Sequence, residues 1–288
     1  MVSRLRLPDA FAEQARDVIE GRVEAARPKD AATVVILRDH PEDGLQVFML
    51  RRAASMAFAP GAYVFPGGSV DPRDSDRTIG WAGPAPAAWG EAFGAGETLA
   101  GGLVCAAVRE TFEESGVLLA GPTLDSVIED TRGADWEADR RALIDRTLSF
   151  AAFLDGRGLV LRSDLLRPWA HWITPVVERK RYDTRFFMAA IPRGQRARDV
   201  STEADRVAWL NPADAVARMR AGELVLLPPT LVTLLELTAY DSTAAVLATE
   251  REISPRLPEV QMGDGGVYLL MPDELSYDLA GAYGVRPS

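Results

Sequence analysis

Apolar residues change their spacing several times along this chain, and each spacing predicts an element. Over residues 9–26, Phe11, Ala15, Val18, Ile19 and Val23 fall on one helical face, and the pattern stops near Pro28. Residues 31–38 and 45–52 are rich in β-formers and flank the turn-prone Asp39-His40-Pro41-Glu42-Asp43-Gly44, which predicts a hairpin. Tyr63-Val64-Phe65 predicts a short strand running into the glycine pair Gly67-Gly68. Val104, Cys105, Val108 and Phe112 form the apolar stripe of a second helix, and Gly116 stands where a C-cap glycine ends one. Residues 117–120 read as a strand, and 135–154 read as helical, within a second insertion. Residues 170–177 and 184–191 predict a second strand pair, and 206–210 a further strand. Asn211 and Pro212 suit the N-cap and first turn of a helix over 212–221. One or two helices over 229–250 and a strand over 267–271 follow. Strands and helices intermixed in this way predict an α/β sandwich.

Residues 75–101 break the pattern with many Gly, Ala and Pro plus Trp81, Trp89 and Phe93. Two readings stand side by side: a lid or binding loop, or a surface embellishment with its aromatics tucked onto the body.

Composition narrows the function classes. At 47% hydrophobic and 26% charged residues the chain is ordinary for a globular protein. Its net charge of −10 disfavours nucleic acid and anionic membrane as partners, so an anionic substrate would need a local basic patch and a metal. Cys105 is the single cysteine, which excludes an internal disulfide and a cysteine zinc site and suits plain core. No apolar run is long enough to span a membrane. Arg4, Arg6, Asp9 and Glu13 interrupt any signal-peptide core, and Arg286-Pro287-Ser288 does not match a peroxisomal address. A cytoplasmic location is expected. Oligomeric state is left open, with a homodimer among the expectations.

The candidate chemistry lies in Arg109-Glu110-Thr111-Phe112-Glu113-Glu114-Ser115-Gly116-Val117. Helical spacing puts Glu110, Glu113 and Glu114 on one face, where like charges repel. They also crowd the C-terminal end of the helix, which the helix dipole disfavours for acids. One reading is a solvated acidic face. The other is a cation site, for which hard Mg²⁺ or Mn²⁺ is the natural partner of such oxygens, with Arg109 orienting a carboxylate.

The stretch resembles the second half of the Nudix box, Gly-x5-Glu-x7-Arg-Glu-U-x-Glu-Glu-x-Gly-U with U apolar. Arg109, Glu110, Glu113, Glu114 and Gly116 match fixed positions, and Thr111 departs mildly at the first U. Gly68 resembles the box glycine. Asp74 stands where the family has Glu, and 34 residues rather than seven separate it from Arg109. A split box with an Ala/Gly/Pro-rich insertion is similar to that of the peroxisomal coenzyme A diphosphatase subgroup. The likeness extends to Phe58-Ala59-Pro60-Gly61-Ala62-Tyr63-Val64-Phe65-Pro66-Gly67-Gly68, Trp169–Pro175, Arg181–Phe187 and Leu227–Thr230, covering roughly residues 31–240.

That resemblance implies a Nudix α-β-α sandwich with a mixed sheet and helical insertions. The expected organisation is an N-terminal helix over 1–28, a hydrolase domain over 29–240 with insertions at about 75–101 and 121–167, and a C-terminal extension over 241–288 packed on the same domain. It further implies metal-dependent cleavage of a pyrophosphate bond in a small nucleotide substrate. Glu110 and Glu114, then Glu113, are the expected metal ligands, with the Gly67 carbonyl as an additional donor. Arg109 and a late acid, Glu203 with Asp205 behind it, complete the catalytic candidates, and the general base is left open among the acids. The basic cluster Arg179, Lys180, Arg181 and Arg185 could grip a phosphate, with Arg51, Arg52 and Phe65 as further substrate contacts. His171 has two readings, contact with a base or packing with Trp169 and Trp172. Coenzyme A or acyl-CoA is the preferred substrate. An ADP-ribose or nucleotide-sugar pyrophosphatase and a non-catalytic nucleotide sensor are the alternatives. One departure bears on substrate: the second arginine of the subgroup's upstream signature falls on Ala57.

Overall fold

The computed structural model describes residues 4–6, 9–55, 60–76, 78–200, 204–263 and 266–270. A nine-stranded mixed sheet forms its centre. Along its main path the order is Val225–Leu226, Ala62–Val64, Gly44–Arg52, Lys29–His40, Tyr182–Ala190, Arg167–Ile173 and Pro255–Arg256. Ala204–Leu210 adds to Gly44–Arg52, and Gly67–Ser69 adds to Lys29–His40. The predicted hairpin is present, with Leu37 opposite Val47 and His40 opposite Gly44. The second strand pair is also present, and Tyr182–Ala190 then runs parallel to Lys29–His40 along nine residue pairs.

Successive strand residues face opposite ways, so one strand feeds two cores. Lys29–His40 sends Ala32, Val34 and Ile36 to the core shared with the helix Glu97–Ser115, through Leu103, Val104, Val108 and Phe112. It sends Val35 and Leu37 to the other core, shared with the helices Pro212–Arg220 and Pro228–Leu237 through Val216, Met219, Val232 and Leu234. Helix, sheet and helix thus form three layers. The Asn211 side chain accepts from the Ala213 and Asp214 N–H groups, as the predicted N-cap should. A small antiparallel sheet pairs Arg4–Arg6 with Gly266–Leu270 and that strand with Glu259–Gly263.

The structure refines three of these readings. The 75–101 segment is structured: it holds the short strand Trp81–Ala82, the helix Pro86–Phe93 and the first turns of Glu97–Ser115. Trp89 and Phe93 pack on Phe187 at ring distances of 5.5 and 5.1 Å, so these aromatics are core. The 117–120 strand is confined to Ala120–Gly121, because the Gln195 side chain takes both backbone groups of Leu118, at 2.8 and 2.9 Å. The 135–154 segment is two helices, Ala134–Ile144 and Phe150–Gly156, separated by a turn in which Arg146 has a φ of 58°. Ser149 caps the second of them.

Candidate active site

The acidic helix ends as predicted: Gly116 has a φ of 73° and its N–H donates to the Phe112 carbonyl at 2.9 Å. Val104, Cys105, Val108 and Phe112 are fully buried, which fixes the rotation of the helix about its axis and turns its acids toward the glycine strand Gly67–Ser69. Thr111 is also buried, and its hydroxyl donates to the Ala107 carbonyl at 2.7 Å. Folding the hydroxyl back on the helix makes threonine acceptable at an apolar position. Two cations offset the unfavourable dipole at this helix end. Arg140 donates to the Glu113 carbonyl at 2.6 Å, and Arg198 lies against Gly116, where an added Cβ would meet its Nη2 at 2.6 Å.

The two halves of the split motif meet through one guanidinium. Arg109 donates from Nε and Nη2 to both carboxylate oxygens of Asp74, at 2.9 and 2.8 Å. Nη2 also reaches the Ser69 carbonyl at 3.1 Å, and Nη1 reaches Glu110 at 2.7 Å and Glu113 at 3.3 Å. Asp74 is buried and is held a second time by the Asp71 N–H at 2.8 Å, part of the cap of the short 3₁₀ turn Pro72–Ser75. Glu114 accepts from the Gly67 N–H at 2.9 Å. Gly68 leaves Glu110 its place, because a Cβ there would come within 2.4 Å of Glu110 Oε1 and displace the carboxylate.

These side chains edge a cavity of about 400 Å³. Gly67, Gly68, Asp74, Arg109, Glu110, Glu113 and Glu114 form its acidic wall, with Asp71 beside them. Val64, Phe65, Leu143, Ile144, Leu148 and Phe150 supply apolar wall, and Arg52, Arg73 and Arg146 supply cations. Of the residues singled out from sequence, the structure gathers Arg52, Phe65, Gly67, Arg109, Glu110, Glu113 and Glu114 here. It does not bring the basic cluster. Arg185 is buried against Asp30 and Asp183, Arg181 donates to the Thr174 and Ala26 carbonyls, Arg179 donates to Gln14, and exposed Lys180 is not on the cavity. Arg51 is tied to Asp205 at 2.6 Å. His171 is buried and pairs with Asp183, and Trp169 and Trp172 are buried beside it, so packing is their role. Glu203 and Ala57 lie outside the described residues. Asp71, Arg73, Arg140 and Arg146 were not singled out: Asp71 and Arg73 stand beside Asp74 at no fixed motif position, and only the fold brings Arg140 and Arg146 to this region.

Arg109 is shared by three carboxylates, Asp74, Glu110 and Glu113, and Glu114 lies on the same cavity. Burial and the neighbouring Glu110 charge raise the Glu113 pKa to about 7, against a partial opposing pull from Arg109. Among the described residues no three acidic, histidine or cysteine side chains already converge as a finished cation cage, and an ion would compete with Arg109 for Glu110 and Glu113. The donor set is nonetheless all oxygen, which fits a hard divalent ion.

The raised pKa has a consequence for stability. A carboxyl that binds its proton more tightly when folded stabilises the protein below its unfolded pKa of about 4.5, and that contribution is lost as pH rises to about 7. The loss is on the order of 3 kcal/mol. Without divalent ions, wild type should therefore lose stability relative to Glu113→Gln between pH 4.5 and 7. Denaturant titrations of both proteins across that range check this, and parallel curves would contradict it.

Comparison with known proteins decides the family. A family model described as the NUDT19 Nudix domain matches residues 94–237, half of the chain. The chain belongs to this family. The acyl-coenzyme A diphosphatase NUDT19 of Gallus gallus is 26% identical over 282 residues, covering 80% of this chain and 72% of that protein. Its Homo sapiens counterpart is 28% identical over 283 residues, covering 83% and 74%. A solved NUDIX hydrolase from Alicyclobacillus acidocaldarius superposes with a TM-score of 0.67 at 28% identity, covering 79% of this chain and 98% of that one. The α/β fold is thus a Nudix fold, and the chain is a Nudix pyrophosphohydrolase, of a class that generally needs divalent metal. Within the NUDT19-type domain the match begins at residue 94, so Gly68 and Asp74 lie upstream of it and join the site through Arg109. No helix among the described residues is long and apolar enough to cross a membrane.

Proposed function

We propose that this chain hydrolyses the diphosphate bridge of coenzyme A or an acyl-coenzyme A, releasing adenosine 3′,5′-bisphosphate and (acyl-)phosphopantetheine. The observation that carries this is its similarity to proteins named acyl-coenzyme A diphosphatase over 72% and 74% of their lengths. The cavity supports it, since a lining that combines acids, cations and apolar side chains suits a molecule that joins a diphosphate to a largely uncharged arm.

Glu110, Glu113 and Glu114 are the side chains that would hold Mg²⁺ or Mn²⁺, with the Gly67 carbonyl beside them. Bound there, the ion supplies neutralisation of the bridge, polarisation of phosphorus and a lowered pKa for its water. The chain's own contribution is orientation. Gly68 leaves room for Glu110, the Gly67 N–H holds Glu114, and Arg109 ties the acids to the Asp74 turn. Phe65 and Val64 shield the cavity on the strand side, and Leu148 and Phe150 do so on the helix side.

Incubation with Mg²⁺ and CoA, an acyl-CoA, NADH or ADP-ribose, with products read by mass spectrometry, tests the reading. Adenosine 3′,5′-bisphosphate is expected from the first two. Cleavage of ADP-ribose alone would point to a nucleotide-sugar enzyme, and no turnover of any would point to a nucleotide sensor.

A further inference from the structure

The cavity is lined by several cations besides its acids. Arg109 is shared among Asp74, Glu110 and Glu113. Arg73 and Arg146 line the same cavity. Arg73 is already matched, donating to both oxygens of Asp71 at 3.0 and 3.1 Å and holding that carboxyl at a pKa of about 2. The Arg146 guanidinium makes no hydrogen bond or ion pair with any described residue, although Asp71 lies within its electrostatic reach.

The backbone at Arg146 is as unusual as its side chain. Among the described residues it is the only non-glycine with positive φ, at 58°. That region suits glycine or asparagine and strains a long side chain. The turn is nevertheless well tied: Arg73 Nη1 donates to the Arg146 carbonyl at 3.1 Å, and the Arg146 and Thr147 N–H groups donate to Leu143 and Ala142 at 2.9 Å. Strained residues kept at a cavity edge are commonly kept for what their side chain does. Leu143, Ile144, Leu148 and Phe150 around it all face the same cavity.

We propose that Arg146 is a specificity-determining residue that binds a phosphate monoester of the substrate, separate from the diphosphate that is cleaved. The inference rests on reading this cavity as the diphosphate site. An unmatched guanidinium pairs with a forked oxyanion in two parallel hydrogen bonds, and a singly attached phosphate offers that geometry with three terminal oxygens and more charge on its one phosphorus than either phosphorus of the bridge carries. The substrate class is thereby narrowed to diphosphates that carry an additional terminal phosphate.

The test is calorimetric titration of the full chain, in Mg²⁺, with adenosine 3′,5′-bisphosphate and with adenosine 5′-monophosphate, for wild type, Arg146→Asn and Arg146→Gly. Both replacements suit positive φ, so thermal unfolding at or above the wild-type temperature is expected and confirms that the turn is kept. Wild type should prefer the bisphosphate by roughly tenfold or more, and both variants should bind the two nucleotides nearly equally. Absence of a measurable preference in wild type, or a preference that survives in the folded variants, overturns the proposal. CoA turnover by the same wild-type preparation reports separately on the proposed function, because the bisphosphate preference decides the role of Arg146 whether or not CoA is cleaved.

Discussion

Arg109→Met should destabilise the protein by about 3–5 kcal/mol at pH 7.5, the loss expected when one partner of a buried charge network is removed. The guanidinium is 12% exposed, and Asp74, which it holds through both oxygens, is 2% exposed. Methionine fills much of the volume but leaves Asp74 with the Asp71 N–H and the weak Cys105 thiol contact, and leaves Glu110 and Glu113 without their shared cation. Three mutually repelling carboxylates then remain with too few partners. The cost should shrink toward pH 5, where Glu113, already raised to about 7, takes up its proton. Adding Asp74→Leu to Arg109→Met should recover part of the loss by removing the orphaned acid. Urea denaturation without divalent ions measures all three proteins. A single-variant cost below about 1 kcal/mol would mean that the network is effectively solvated and does not join the halves of the split motif.

Glu114→Gln should lower turnover about a thousandfold or more while leaving thermal stability equal to or above that of wild type. A glutamine oxygen can still accept the Gly67 N–H, which Glu114 accepts at 2.9 Å, so the local geometry is conserved. The charge is lost, and with it a donor for the divalent ion. Loss of a ligand to a charge-neutralising ion removes several kcal/mol of transition-state stabilisation, hence the size of the effect. Removing one of three clustered acids also relieves repulsion in the ion-free protein. Unfolding of this variant would mark Glu114 as a structural hydrogen-bond acceptor, and near-normal turnover would remove it from the site.

The two variants separate what could be read along the chain from what could not. Glu110, Glu113 and Glu114 were legible because helical spacing alone puts them on one face and the Val104–Phe112 stripe fixes the other. The glycine strand was legible as a place where backbone must come close. Arg109's link to Asp74 was only half legible. The motif supplied both residues, but 34 intervening residues hide the fact that the helix Pro86–Phe93 and the lengthened acidic helix fold the gap away. The basic cluster failed for a physical reason. Proximity in sequence put Arg181 and Arg185 with Arg179 and Lys180, yet strand alternation and burial give Arg185 to Asp30 and Asp183 and give Arg181 to backbone carbonyls. Arg140 and Arg146 carried no motif at all. Their segment read as helical, and a left-handed residue between its two helices places Arg146 on the cavity.

The central claim is that the acids of one helix gather a divalent ion beside the glycine strand. Anomalous diffraction at the manganese edge, from crystals of the full chain soaked in MnCl₂, tests it most directly. A peak within ligand distance of Glu110, Glu113 or Glu114 and close to the Gly67 carbonyl is the predicted result. A map with no peak there, and with Arg109 still bonded to Glu110 and Glu113, would contradict it.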